Sequence, residues 1–93
     1  MTTRELRRVA LDGELTIMTA AESKERLLTA LPGSGGLRVD LAGVEEIDTA
    51  GLQVLLLTRR EAESMSLPFE LTAPAPGVAA VLALAGLTTA EEQ

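Results

Sequence analysis

The residues with the clearest chemical potential are Asp48, Thr49 and Gly51, within Glu46-Ile47-Asp48-Thr49-Ala50-Gly51-Leu52. A hydroxyl serves as a phosphate acceptor where it is exposed and where the added charge is tolerated. Asp48 closes a short apolar-and-acidic run and precedes a long helical pattern. That order predicts Asp48 as an N-cap, its carboxylate accepting a bond from a free backbone N–H of the first turn. Thr49 then stands on that turn, where free N–H groups and the positive helix end favour a phosphate. Gly51 has no Cβ and lets another backbone or a partner approach closely. The arrangement suggests a switch rather than a catalyst. The plainer alternative is that Asp48 and Thr49 only start a helix, since both are common cap residues.

Catalytic alternatives find little support. The chain has no Cys and no His, so it lacks thiolate chemistry, an imidazole base and the usual zinc ligands. Gly33-Ser34-Gly35-Gly36 follows a helical pattern and precedes a strand, whereas phosphate-cradling loops follow a strand and open a helix. It reads as a linker. A receiver domain needs a late lysine, and the only lysine is Lys24, on the first helical pattern. Glu45, Glu46 and Asp48 form an acidic knot that reads as solvated loop carboxylates rather than a metal site. No enzyme activity, cofactor or metal is expected.

Composition narrows the partners. Ninety-three residues suit one small domain, spanning 1–93, that buries roughly 60–65% of its unfolded surface. The apolar fraction is 46%, almost all aliphatic, and Phe69 is the sole aromatic residue. Base stacking needs aromatic rings, and a net charge of −6 repels phosphate backbones, so no nucleic-acid partner is expected. A basic or neutral protein surface is the better match. Met1 to Arg8 is polar, with no apolar segment after it. No apolar run approaches the roughly 20 residues of a membrane span. The expectation is a soluble, cytoplasmic protein without direct membrane insertion.

The elements that must position Thr49 follow from periodicity. Leu6–Leu11 and Glu14–Ile17 read as strands joined by an Asp12-Gly13 turn into a hairpin. A helix from Thr19 or Ala20 to about Leu31 follows, stopped by Pro32-Gly33. Leu37–Leu41 alternates as a third strand, and residues 42–47 form a connection. The helix capped by Asp48 ends near Ser64 to Ser66. Phe69–Thr72 is a fourth strand, Gly77–Leu84 a third helix, and Gly86 its C-cap. The fold class is therefore α/β, a four-stranded mixed sheet in the order ββαβαβα. Leu37, Val39 and Leu41 alternate with Arg38 and Asp40, and Phe69 and Leu71 with Glu70 and Thr72. This predicts helices mainly on one face and a second face partly open. Leu52, Val54, Leu55, Leu56 and Leu57 point nearly all round their helix, so any exposed apolar patch lies beside Thr49.

Three segments together resemble the STAS domain, the fold of anti-sigma factor antagonists. Gly13-Glu14-Leu15 is similar to the family's second-strand entry. Asp48-Thr49-Ala50-Gly51-Leu52 is similar to its Asp-[Ser/Thr]-x-Gly-[Leu/Ile] signature. Val78, Val81, Leu82, Leu84, Gly86 and Leu87 follow the pattern of its third helix. The likeness spans roughly residues 6 to 87.

The resemblance implies a bacterial regulatory domain that binds a protein partner. In many members a partner of the histidine-kinase ATPase type, an anti-sigma factor/serine-threonine kinase, phosphorylates the hydroxyl residue after the Asp; the unphosphorylated form binds a partner and the phosphorylated form does not. That phosphosite maps onto Thr49, with Asp48, Ala50, Gly51, Leu52 and Leu56 on the partner-binding surface. Antagonists commonly carry an acidic residue close to the phosphosite where this chain has Thr16. The further C-terminal helix of the family is here reduced to Thr88–Gln93. Thr in place of Ser also resembles two neighbouring branches, the chemotaxis-associated STAS proteins and the STAS subunit of phospholipid ABC transporters. The second of these contacts the transporter's ATPase subunit. The alternative function is thus a non-phosphorylated adaptor in which Thr49 makes a contact.

Overall fold

The computed structural model describes residues 5–89; the polar ends, residues 1–4 and 90–93, lie outside the described residues. The elements are β1 (Arg7–Leu15), α1 (Ala20–Ala30), β2 (Leu37–Ile47), α2 (Thr49–Ser64), β3 (Phe69–Thr72) and α3 (Pro76–Leu84). The sheet has three strands in the order β1-β2-β3, all parallel. Each strand-to-strand connection passes through a helix, as parallel pairing requires.

The expected four-stranded mixed sheet and its hairpin are corrected here. Asp12-Gly13 does not turn the chain but stays inside β1. The reason lies in β2, which continues to Ile47 instead of stopping at Leu41. Its second half gives Gly13, Glu14 and Leu15 ladder partners at Val44, Glu46 and Ile47. Register shifts between Ala10 and Asp12 and between Gly13 and Glu14 accommodate the longer strand. Gly13 takes φ +71°, a value that glycine adopts readily. Ile17, read as the end of a strand, falls instead in the turn between β1 and α1, closed by the Thr19 N–H donating to the Thr16 carbonyl at 2.9 Å.

The core forms on one face of the sheet. Val9, Val39 and Leu71 stand in register across the three strands. They meet Leu27 of α1 and Leu31 at its C-cap, Val54, Leu55 and Ala62 of α2, and Val78 and Leu82 of α3 in one hydrophobic cluster. The opposite face carries the row Arg8, Arg38 and Glu70. There Arg38 Nε pairs with Glu70 Oε1 at 3.0 Å, with the side chains 35% and 33% exposed. Asp40 is also half-buried. That face keeps access to water, as the alternation demands.

Helix ends follow local chemistry. After α3, Gly86 at φ +77° lets the Leu87 N–H donate back to the Leu82 carbonyl at 2.9 Å. After α2, Ser66 takes the same left-handed role, and the Leu67 N–H donates to the Ala62 carbonyl at 2.8 Å. Among the described residues no helix is long and apolar enough to cross a membrane.

Candidate functional site

Asp48 follows the last residue of β2 and caps α2 with an extended backbone, φ −127° and ψ −172°. Its carboxylate is divided between two elements. Oδ1 accepts from the Gly51 N–H at 3.0 Å, and Oδ2 accepts from the Ile17 N–H at 3.0 Å. One side chain therefore ties the start of α2 to the β1–α1 turn. The bond to Gly51, and after it the bond to Ile17, favours the charged form and holds the carboxyl below the usual carboxylate range. With both oxygens engaged by backbone N–H groups, Asp48 is committed to this junction.

Gly51 is buried at the same junction. A Cβ built on it would lie 1.9 Å from the Leu15 carbonyl oxygen. Leu15 is the last residue of β1, and its carbonyl also accepts from the Asp48 N–H at 3.3 Å. The absent side chain thus serves an intramolecular contact, where β1 and the first turn of α2 meet.

Thr49 is exposed on the first turn, and its hydroxyl makes no hydrogen bond among the described residues. Leu52 and Leu56 share its stripe of the helix at three- and seven-residue spacing. Both are half-buried against the core rather than open. Val54 and Leu55 are buried, and Leu57 is the residue of that apolar run left 37% exposed. Ala50, Gln53 and Leu57 line a groove of about 450 Å³ with Ala20, Ala21 and Lys24 of α1.

Thr16 is only 7% exposed and is engaged within its own turn. Its hydroxyl donates to Glu14 Oε1 at 2.9 Å and accepts from the Met18 N–H at 3.3 Å. The Thr19 hydroxyl accepts from the Thr16 N–H at 3.1 Å and donates to the Glu14 carbonyl at 2.9 Å. The turn lifts Ile17 and Met18 into solvent, at 71% and 82% exposure, next to the Asp48 bridge. Periodicity missed these two residues. The available signal was Thr16-Ile17-Met18-Thr19, two hydroxyl residues at turn spacing around an apolar pair.

Chemically, the junction presents an exposed hydroxyl at a helix N-terminus.

Comparison with family models matches residues 2–90 to the family described as "Mlab, STAS domain". Among solved structures, an RsbS variant from Moorella thermoacetica carrying a serine-to-glutamate substitution is 33% identical over 92% of this chain and 79% of that chain, with a TM-score of 0.72. The anti-sigma factor antagonist SpoIIAA in its unphosphorylated form aligns over 100% of this chain and 86% of that chain, at 22% identity and TM-score 0.75. The Bacillus SpoIIAA in its phosphorylated form gives a TM-score of 0.73 at 23% identity, over 99% of this chain and 88% of that chain. A sulfate transporter family protein from Wolinella succinogenes has TM-score 0.75 at 16% identity, over 87% of this chain and 66% of that chain. The last three likenesses are of fold. No curated protein sequence matches the chain.

Proposed function

This chain belongs to the STAS domain family, and on that premise we propose that it is a regulatory protein-binding domain switched by phosphorylation of Thr49. The observation that carries the reading is the free, exposed Thr49 hydroxyl on a helical turn anchored by the Asp48 bridge. Its similarity to anti-sigma factor antagonists supports the regulatory role. One of them, SpoIIAA, has been solved both with and without phosphate. Antagonists of this family are regulatory rather than catalytic, which agrees with an isolated hydroxyl.

In this reading the partner is an anti-sigma factor and serine/threonine kinase of the histidine-kinase ATPase type. It docks on Thr49, Ala50, Leu52 and Leu56, together with the raised Ile17 and Met18; Asp48 and the buried Gly51, expected from the sequence on that surface, instead hold the junction beneath it. Phosphorylation adds about −1.5 to −2 charge to Thr49. The helix N-terminus tolerates that charge within the domain. A docked apolar surface does not, because it must strip the phosphate of water, and an unpaired buried charge costs several kcal/mol.

A second reading is a constitutive adaptor of a chemotaxis-type system or of a phospholipid ABC transporter, contacting its ATPase subunit. The description of the matching family and the Thr16 hydroxyl, turned toward Glu14 and away from solvent, favour it.

The test is calorimetric titration of wild type, Thr49→Ala and Thr49→Glu against the partner captured from the native cell extract. The switch predicts that Thr49→Glu folds normally and binds at least about tenfold more weakly, a difference of about 1.4 kcal/mol. Thr49→Ala keeps most of the affinity. Unchanged binding by Thr49→Glu would reduce Thr49 to a helix-start residue. Capture of a transporter ATPase would select the adaptor.

A further inference from the structure

β1 is an edge strand of the described sheet, and no described strand pairs with its outer side. It runs nine residues, Arg7–Leu15, about 30 Å at roughly 3.3 Å per residue. Edges are blunted with Pro, bulges or charge; β1 has no Pro, and the charges on its exposed face, Arg8, Asp12 and Glu14, are of both signs. Its outward backbone is identifiable from one bond. The Ala10 carbonyl accepts from Arg26 Nη2 at 3.1 Å, a side chain and not the neighbouring strand. The peptide groups of Ala10 therefore face away from β2, and by alternation so do those of Arg8 and Asp12. The side chains of Arg8, Ala10, Asp12 and Glu14 are all exposed.

We infer that this edge pairs antiparallel with β1 of a second copy of the chain, about a twofold axis through Leu11. A twofold demands a self-complementary edge, and β1 has one. Centred on Leu11, the strands overlap from Arg7 to Leu15 without overhang. Arg8 then stands opposite Glu14 of the second copy, whose carbonyl exchanges the Thr19 hydroxyl for the Arg8 N–H while that hydroxyl keeps the Thr16 carbonyl, and symmetry repeats the pair. Ala10 faces Asp12 of the second copy, whose N–H takes the place of the Arg26 guanidinium on the Ala10 carbonyl. Val9 faces Gly13 of the second copy, whose missing Cβ leaves room for the branched side chain. Sliding the axis to Asp12 or Gly13 sets acidic residues against one another, which is unfavourable across strands. Sliding it toward the N-terminus leaves the ends of both strands unpaired. The two sheets join into one of six strands, and the outer edge of each β1 disappears.

Sedimentation equilibrium of the full chain over a range of concentrations tests the inference. The expected result is a reversible dimer, twice the 9.7 kDa of the monomer. Arg8→Glu places Glu against Glu twice and should weaken the dimer about tenfold. Arg8→Glu combined with Glu14→Arg exchanges the charges and should restore wild-type association. Ala10→Pro removes an outward N–H that no other described strand uses, and should abolish the dimer while circular dichroism shows an intact fold. If Ala10→Pro fails to fold, the charge-reversal series decides alone. A monomer persisting to about 1 mM, a dimer indifferent to Arg8→Glu, or a charge exchange without rescue would each overturn the pairing.

Discussion

Gly51 lies so close to Leu15 that a Cβ on Gly51 would sit 1.9 Å from the Leu15 carbonyl oxygen. A glycine inside a helix ordinarily weakens it by about 1 kcal/mol relative to alanine. Here the sign reverses. Gly51→Ala must push α2 away from the end of β1, and overpacking of this kind costs about 1–3 kcal/mol. Urea denaturation should show a loss in that range. A variant as stable as wild type would mean that α2 and β1 do not meet this closely.

Asp48 links stability to pH. Its folded pKa lies below the ordinary value because the Gly51 N–H, and then the Ile17 N–H, stabilise the carboxylate. A depressed folded pKa gives stability that is complete above the unfolded value of about 3.9 and lost as pH falls through the folded value. Asp48→Asn keeps one acceptor oxygen and leaves one of the two N–H groups without its partner. The variant should melt below wild type at neutral pH, and the gap should narrow as pH falls below about 4 toward the lower folded value. A gap independent of pH would show that the charge contributes nothing.

Thr16→Asp separates two effects. Its new carboxylate would lie beside Glu14 in a site only 7% exposed, so the melting temperature should fall. Pairing the change with Glu14→Gln should recover part of the loss. If an acidic group near Thr49 assists phosphoryl transfer, the variant should be phosphorylated at least about tenfold faster by the cognate kinase. Initial rates measured below both melting temperatures decide this, and equal rates would remove Thr16 from the reaction.

Ile17 and Met18 are too exposed to contribute to the core. Ile17→Asp with Met18→Asp should change stability by no more than about 0.5 kcal/mol. Apolar anchors dominate interfaces, so the same pair should weaken partner binding at least about tenfold. Leu84→Asp is the control, being 90% exposed on α3. An equal loss from the control would make the effect one of net charge rather than docking.

What the sequence determined by itself is what neighbouring residues decide. Asp48 caps α2 because its carboxylate reaches the N–H of Gly51, three residues on. Phe69–Thr72 alternates and is a strand of those four residues. Gly86 ends α3 through a left-handed backbone that glycine adopts without strain. The STAS signature is legible for the same reason, since it is a short segment with a local shape. Tertiary structure decided the rest. Asp12-Gly13 is a strand and not a turn because residues 42–47, some thirty positions away, supply its ladder partners. The second oxygen of Asp48 holds Ile17 across 31 residues, and with the Asp48 N–H on the Leu15 carbonyl it brings the 16–19 turn to the start of α2. Local propensity yields when a distant backbone can satisfy more hydrogen bonds than the turn can, and which distant backbone arrives is set by burial of the shared core.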